Sequence, residues 1–275
     1  MTDIVITGAS GFLGRAVRAR LATLRLPYVA VSRRNGADLH RVVDYKDTPY
    51  GDVLIHLAEE PNRAMVNALG EAYLDHATAV MLTLVKRAGT VIYASSGVVY
   101  GEEGNTPFSP YSAVVPTDLY GRSKLQNEAI VLAAGGTVIR LSNLFGIGMS
   151  PSNVISDIDR QLPNTGTLKI RDDTPVRDFL SVSAAADAIV LLSQMVCPGI
   201  LNLGSGVGLS IRTLALLALS SVGQKGRQIV VTHPTARRSV NILDIEETQR
   251  RLRWSPGISP LITLGNFFSR TNLDN

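Results

Sequence analysis

Tyr120 and Lys124 stand four residues apart in "DLYGRSKLQNEA" (118–129), and Ser95 and Ser96 close the apolar run "TVIYASS" (90–96) ahead of them. Residues i and i+4 share one face of a helix, so the phenol and the ammonium would be neighbours there. A phenol ionises near pH 10, but an adjacent ammonium and a helix N-terminus favour its phenolate and bring it toward working pH. Such a group can exchange a proton with a hydroxyl or a ketone. Ser96 would hydrogen-bond the same oxygen and stabilise the alkoxide-like charge that develops on it. Ser96, Tyr120 and Lys124 are therefore the candidate catalytic residues. Taken singly, each also suits a structural role, as a strand-end cap, a rim aromatic and a solvated helix charge. Leu125, Ala129 and Val131 are expected to supply the packing stripe of the helix.

These residues need a scaffold that brings a strand end and a helix start together. "DIVITG" (3–8), "YVAVS" (28–32), "DVLIHLA" (52–58), "TVIYASS" and "TVIRLS" (137–142) are β-branched and almost continuously apolar, as strands buried on both faces are. Helical stretches near 12–25, 62–88 and 118–134 alternate with them. The fold class is α/β, a Rossmann-type doubly wound parallel sheet, with a smaller discontinuous C-terminal lobe. The boundaries read as 1–143 for the domain that carries this sheet, with 176–196 and 227–232 expected to return strands to it. The second lobe then takes 144–175, 197–226 and 233–275.

In an open parallel sheet, ligands bind outside the carboxyl ends of the strands. The first such end reads "TGASGFLG", with Gly8, Gly11 and Gly14 between a strand and a helix. The first glycine allows a tight turn, the second lets the backbone approach a pyrophosphate, and the third lets helix pack on strand. The spacing is G-x-x-G-x-x-G. Ser10, Phe12 and Leu13 of the same turn, with Leu57 and Ala58 at the end of 52–58, complete the expected cofactor cradle. Tyr120 and Lys124 would then meet the nicotinamide end, Lys124 holding the ribose. The second strand ends in Ser32, Arg33 and Arg34 with no carboxylate to bind ribose hydroxyls, and a guanidinium fork suits a phosphate. NADP(H) is favoured and NAD stays open; the alternative is a solvent-exposed arginine pair. Asp44 fits either the adenine edge or the cap of a turn.

Composition excludes several other classes. The net charge is +4, and the arginine pairs at 33–34, 237–238 and 250–251 are scattered without interleaved aromatics, so a nucleic-acid partner is not expected. "AIVLLSQMV" and "TLALLAL" are too short to span a bilayer. Cys197 is the sole cysteine and "MTDIVITGAS" enters a strand at once, with no signal peptide ahead of it, so a cytoplasmic protein is expected. No cluster has metal-ligand spacing. The lone His56 reads as a packed strand-end residue.

The conjunction of "TGASGFLG", "SSGVVYG" and "YGRSK" resembles the extended short-chain dehydrogenases, the nucleotide-sugar epimerase, dehydratase and reductase family. "IRLSNLFGIG" (139–148), "VRDFLSV" (176–182), "LNLGSGVGLS" (201–210) and "RRSVNILDIEETQRRLRWSP" (237–256) extend the resemblance nearly end to end. It implies a nucleoside-diphosphate sugar as substrate, with Ser96 and Asn143 touching it and Arg177 reaching its diphosphate. Arg237 or Arg238 would be a further phosphate contact, with Arg238 preferred. The family's 4,6-dehydratases carry an Asp-Glu pair directly after the serine; here Gly97 and Val98 stand there, so dehydration is not expected. His76 and Thr78 receive no catalytic role. Three readings remain open: an NADPH-consuming reductase of a 4-keto sugar, a 4-epimerase using the same three residues, and a dinucleotide-binding sensor without chemistry. A homodimer is left open.

Overall fold

Apolar β-branched runs and helices alternate through the first 140 residues of the computed structural model, which describes residues 3–104, 106–237 and 239–271. The elements in chain order are β1 (Ile4–Thr7), α1 (Phe12–Thr23), β2 (Tyr28–Ser32), β3 (His40–Arg41), β4 (Gly51–His56), α2 (Arg63–Leu69), α3 (Glu71–Leu84), β5 (Ala88–Ser96), α4 (Leu119–Ala133) and β6 (Thr137–Leu141). There follow β7 (Asn143–Phe145), α5 (Val154–Gln161), β8 (Leu168–Ile170), β9 (Val176–Ser181), α6 (Val182–Leu192), β10 (Gly199–Leu203), β11 (Gly208–Ser210), α7 (Ile211–Ser221), β12 (Ile229–Val231), β13 (Val240–Asn241), α8 (Glu246–Leu252) and α9 (Pro260–Thr271).

Among the described residues seven strands form the main sheet, in the order β3-β2-β1-β4-β5-β6-β10, all parallel. This is the doubly wound order in which the chain returns to the centre after β3, leaving a crevice beside β1. The register aligns Thr7 with Val31 and His56, His56 with Tyr93, and Ser96 with Leu141. Gly8, Ser32, Leu57 and Ser96 therefore reach one carboxyl edge. Ile6, Val17, Ile55, Ile92 and Ala185 pack one face of the sheet, and Val5, Val31, Leu54, Met81 and Tyr93 the other. The helical stretch expected at 62–88 is broken by Gly70, whose φ of +70° suits glycine alone, into α2 and α3.

A second core, built on Phe145, Ile158, Phe179, Leu214 and Phe268, marks the smaller lobe. Its strand membership corrects the sequence-based expectation. β9 does not join the main sheet but pairs with β7, β11 and β13, and β12 pairs with β8. The seventh main-sheet strand is β10, from the stretch expected in the lobe. The physical reason lies in buried polar anchors. Asp178 of β9 is fully buried and accepts hydrogen bonds from Ser205 N and Oγ and from Gly206 N, tying β9 to the loop after β10. Asn202 of β10, also fully buried, donates to Phe108 O and Asp244 O. Short apolar runs do not reveal which sheet they join; these bonds over long sequence separations decide it. Helix α6 nevertheless packs on α1, in the main domain's core.

Candidate active site

The glycine turn is shaped by what a side chain would strike. Gly8 has φ +69°, and a Cβ there would lie 2.7 Å from the Leu57 carbonyl and 2.9 Å from Ala58 Cα. The turn after β1 thus runs against the end of β4, as Leu57 and Ala58 suggested. A Cβ on Gly14 would lie 2.2 Å from Gly8 O, so α1 can seat its first turn on the strand end only with glycine there. Gly11 is the N-cap of α1 and no side chain caps it. A helix N-terminus opening on glycine, with its amides uncapped, is a cradle for phosphate. The residues present fit a dinucleotide, which when bound supplies the hydride-carrying nicotinamide; Ser10, Gly11, Phe12 and Leu13 would hold its pyrophosphate.

At the end of β2 the Ser32 hydroxyl is buried, 2.7 Å from Ser10 Oγ, and accepts from Arg34 N at 3.0 Å. Ser32 thereby braces the glycine turn. Arg33 is exposed and its guanidinium lies over the Tyr45 ring at 5.4 Å, while Arg34 is exposed beside it. The Asp44 carboxylate accepts from Lys46 N at 2.9 Å and caps the turn Tyr45–Asp47. Its side chain serves that turn, the second of the two readings above.

Tyr120 and Lys124 lie in the first turns of α4, whose N-cap Asp118 accepts from Gly121 N at 2.8 Å. Of the expected packing stripe Val131 is buried in the core, but Leu125 is half-buried and Ala129 exposed, whereas Ser123, Lys124, Asn127 and Glu128 are buried. This face is polar because every charge on it has a partner. Lys124 Nζ donates to Ala94 O at 2.9 Å and pairs with Glu59 Oε2 at 2.7 Å, beside the Tyr120 ring at 5.7 Å from its centroid. Arg140 of β6 pairs with Glu128 at 2.6 Å, and Ser95 Oγ donates to Glu128. Burial alone disfavours the Lys124 ammonium, but Glu59 and then Tyr120 outweigh it and hold this lysine above the ordinary range.

Glu59 is the residue that sequence reasoning passed over. Burial opposes its charge, yet Lys124 and His56 keep its carboxyl below the usual range. Tyr93 Oη donates to it at 2.9 Å and Asn127 Nδ2 at 2.7 Å. The signal available was a carboxylate one residue beyond Ala58, at the end of a buried strand. His56 is buried, 2.7 Å from Thr7 Oγ1, and burial pushes its pKa down to about 4, so the ring is neutral. Tyr73, against Glu60 N, is pushed up to about 12 by burial and the Glu59 charge.

Ser96 Oγ accepts from Val98 N at 3.3 Å and caps the turn Gly97–Tyr100, leaving its own O–H to donate. A cavity of 150 Å³ beside it brings together Ser96, Asn143 and Arg177 with Arg63, Glu102 and Asn241. Asn143 Nδ2 donates to Asp178 O at 3.1 Å. Arg177 donates to Ser239 O and Oγ at 3.0 and 2.6 Å and faces Glu102 at 3.6 Å. Arg63, likewise unforeseen, is held by Glu102 at 3.1 Å and Asp118 at 2.8 Å. Arg238 lies outside the described residues, and Arg237 pairs at the surface with Glu103 at 2.8 Å. Among the described residues no group of three or more His, Cys, Asp or Glu could hold a metal ion, and no helix is long and apolar enough to cross a membrane.

A Rossmann-type sheet with this glycine turn and with serine, tyrosine and lysine at its carboxyl edge defines an NAD(P)-dependent enzyme of the short-chain dehydrogenase/reductase kind. The chain belongs to the NAD dependent epimerase/dehydratase family, whose model matches residues 4–204. It is 29% identical to a GDP-6-deoxy-D-mannose reductase of Pseudomonas aeruginosa over 95% of this chain and 93% of that protein. It is 24% identical to a dTDP-L-rhamnose 4-epimerase of Burkholderia thailandensis, over 92% and 90%. Among solved structures, RMD from Pseudomonas aeruginosa complexed with NADPH superposes with a TM-score of 0.87 over the whole of both chains at 24% identity. The fold is shared with that protein, and the chain is a nucleotide-sugar-modifying NAD(P)-dependent enzyme.

Proposed function

We propose that this protein is an NADPH-dependent reductase acting at C4 of a nucleoside-diphosphate 4-keto-6-deoxy sugar. The observation that carries the reading is the end-to-end similarity to a GDP-6-deoxy-D-mannose reductase. The exposed guanidinium of Arg33 at the end of β2, braced over Tyr45, supports NADPH, since a planar fork suits a 2′-phosphate. Tyr120 then acts as general acid, passing its Oη proton to the ketone oxygen as charge develops there. Ser96 donates a hydrogen bond to the same oxygen. Lys124 orients the ribose end of the cofactor and steadies the phenolate left behind. Asn143, Arg177 and Arg63 line the sugar cavity, Arg177 on the diphosphate side.

A 4-epimerase would use the same three groups but keep its dinucleotide through turnover. The purified protein is expected to carry little bound dinucleotide, and to oxidise NADPH stoichiometrically with a keto sugar from a panel of GDP-, dTDP- and UDP-linked substrates. Release of one NAD per chain on denaturation, with interconversion of two C4 epimers without added cofactor, would instead establish the epimerase.

A further inference from the structure

The proton transfer just derived leaves one buried charge without a task. Lys124 has three N–H donors, of which Ala94 O and Glu59 Oε2 take two at 2.9 and 2.7 Å, so a single N–H remains for the side that faces Tyr120 and the cofactor ribose. The Glu59 side chain is only 8% exposed, and its oxygens receive Tyr93 Oη and Asn127 Nδ2 besides the lysine. Three side chains from two elements, β5 and α4, thus converge on one carboxylate that is not among the residues lining the sugar cavity. A carboxylate needed only to fill space there would be a costly choice, because burying charge demands partners for every lone pair.

We propose that Glu59 is a positioning residue of the active site: it fixes the Lys124 ammonium beside Tyr120 and balances its charge, so that Tyr120 stands ready as the proton donor that reduction requires. This rests on the reductase reading. In reduction the carbonyl carbon accepts the hydride, the π pair moves to oxygen, and the Tyr120 Oη–H proton goes to that oxygen; water then restores the proton to the phenolate. An unbalanced ammonium would favour the phenolate before the ketone arrives, which suits the opposite direction. The other groups facing the pair are neutral or engaged elsewhere. His56 on β4 is neutral, Tyr73 on α3 and Tyr93 on β5 are phenols held protonated by burial and by Glu59, and Glu128 on α4 is paired with Arg140 of β6.

Ultraviolet titration of tyrosinate in the apoprotein tests this without substrate or cofactor. Wild type, Glu59→Gln and Glu59→Asp are each titrated alone and with Tyr120→Phe, so that the difference isolates Tyr120 from Tyr73 and Tyr93. Glu59→Gln is expected to lower the Tyr120 midpoint by about one pH unit or more. Glu59→Asp, with the charge on a shorter arm, is expected to fall between. With an active keto sugar, the alkaline limb of the NADPH-oxidation profile moves down in the same order. A midpoint that is unchanged or raised in natively folded Glu59→Gln would overturn the proposal. Should that variant fail to fold, Glu59→Asp decides, a lower midpoint supporting the assignment and an equal or higher one refuting it. A keto-sugar panel without NADPH oxidation refutes the reductase reading, whereas the titration alone decides the role of Glu59.

Discussion

Tyr120 brings one ionisable oxygen to the site, and Tyr120→Phe removes that atom while leaving the ring. The variant is expected to fold and to bind NADPH nearly as wild type, while turnover drops by about a hundredfold or more, the usual loss for a general acid. Steady-state rates on the identified keto sugar check this; near-normal turnover would remove Tyr120 from the mechanism. Arg33 acts at the far end of the cofactor. Arg33→Ala is expected to weaken NADPH by about 1.5–3 kcal/mol, the range of a charge-assisted contact, and to leave NADH almost unchanged. Fluorescence titration of both cofactors with both proteins decides it, and equal losses would place Arg33 elsewhere. The placement of Ser96 at a strand end and of Tyr120 and Lys124 in the first turns of a helix was legible because residue type, spacing and a strand-then-helix context agreed. Glu59 was not, since its partners Tyr93, Lys124 and Asn127 lie 34 to 68 residues away and a pair of carboxylates after a strand reads as loop.

At the scale of elements, α1 and α4 do different work from what an apolar pattern implies. Helix α1 buries only Gly14, Val17 and Leu21, and its seat on β1 depends on Gly14 being bare. In Gly14→Ala the new methyl would sit 2.2 Å from Gly8 O, so the helix must shift off the strand. The expected cost is about 1–3 kcal/mol, a fall of several degrees in Tm, together with weakened dinucleotide binding. Calorimetry and cofactor titration test both; an unshifted Tm with normal affinity would show that α1 is not wedged there. Five of the seven strands of the parallel sheet were legible from continuous β-branched runs, such as strands buried on both faces carry, whereas β3 and β10 were not. Helix α4 was legible as a helix but not in its orientation, because Lys124 and Glu128 are buried by partners on β5, on β6 and in the segment after β4 that no local pattern displays. The same holds for β9 and β10, where Asp178 and Asn202 are buried by hydrogen bonds to residues 27 and 94 positions away that no local pattern displays.

Across the whole molecule, the chain keeps ionisable groups at the centre of the domain that forms the site, so its stability is tied to pH. His56 has a pKa of about 4 in the folded protein, below its ordinary 6.5, chiefly because burial disfavours the imidazolium. Between pH 6.5 and 4 the unfolded chain therefore binds a proton that the folded chain refuses, and stability must fall as pH falls through that window. The loss from this residue is on the order of 3 kcal/mol, a large share of the margin of an ordinary domain. Glu59 acts in the same sense slightly lower: its folded pKa lies beneath the ordinary 4.5, so its contribution is present above that value and is lost as the carboxylate is protonated. Lys124 opposes neither, since an ammonium held above the lysine range contributes fully at every acidic pH. Urea unfolding at successive pH values is thus expected to show stability dropping from about pH 6.5 downward, then more steeply below about 4.5. In His56→Gln the first part of that drop should vanish while the second remains. A wild-type profile flat from pH 6.5 to 4.5, or a variant profile with the same slope there, would show that His56 is charged in the folded protein and that the floor of the site is wetter than its burial indicates.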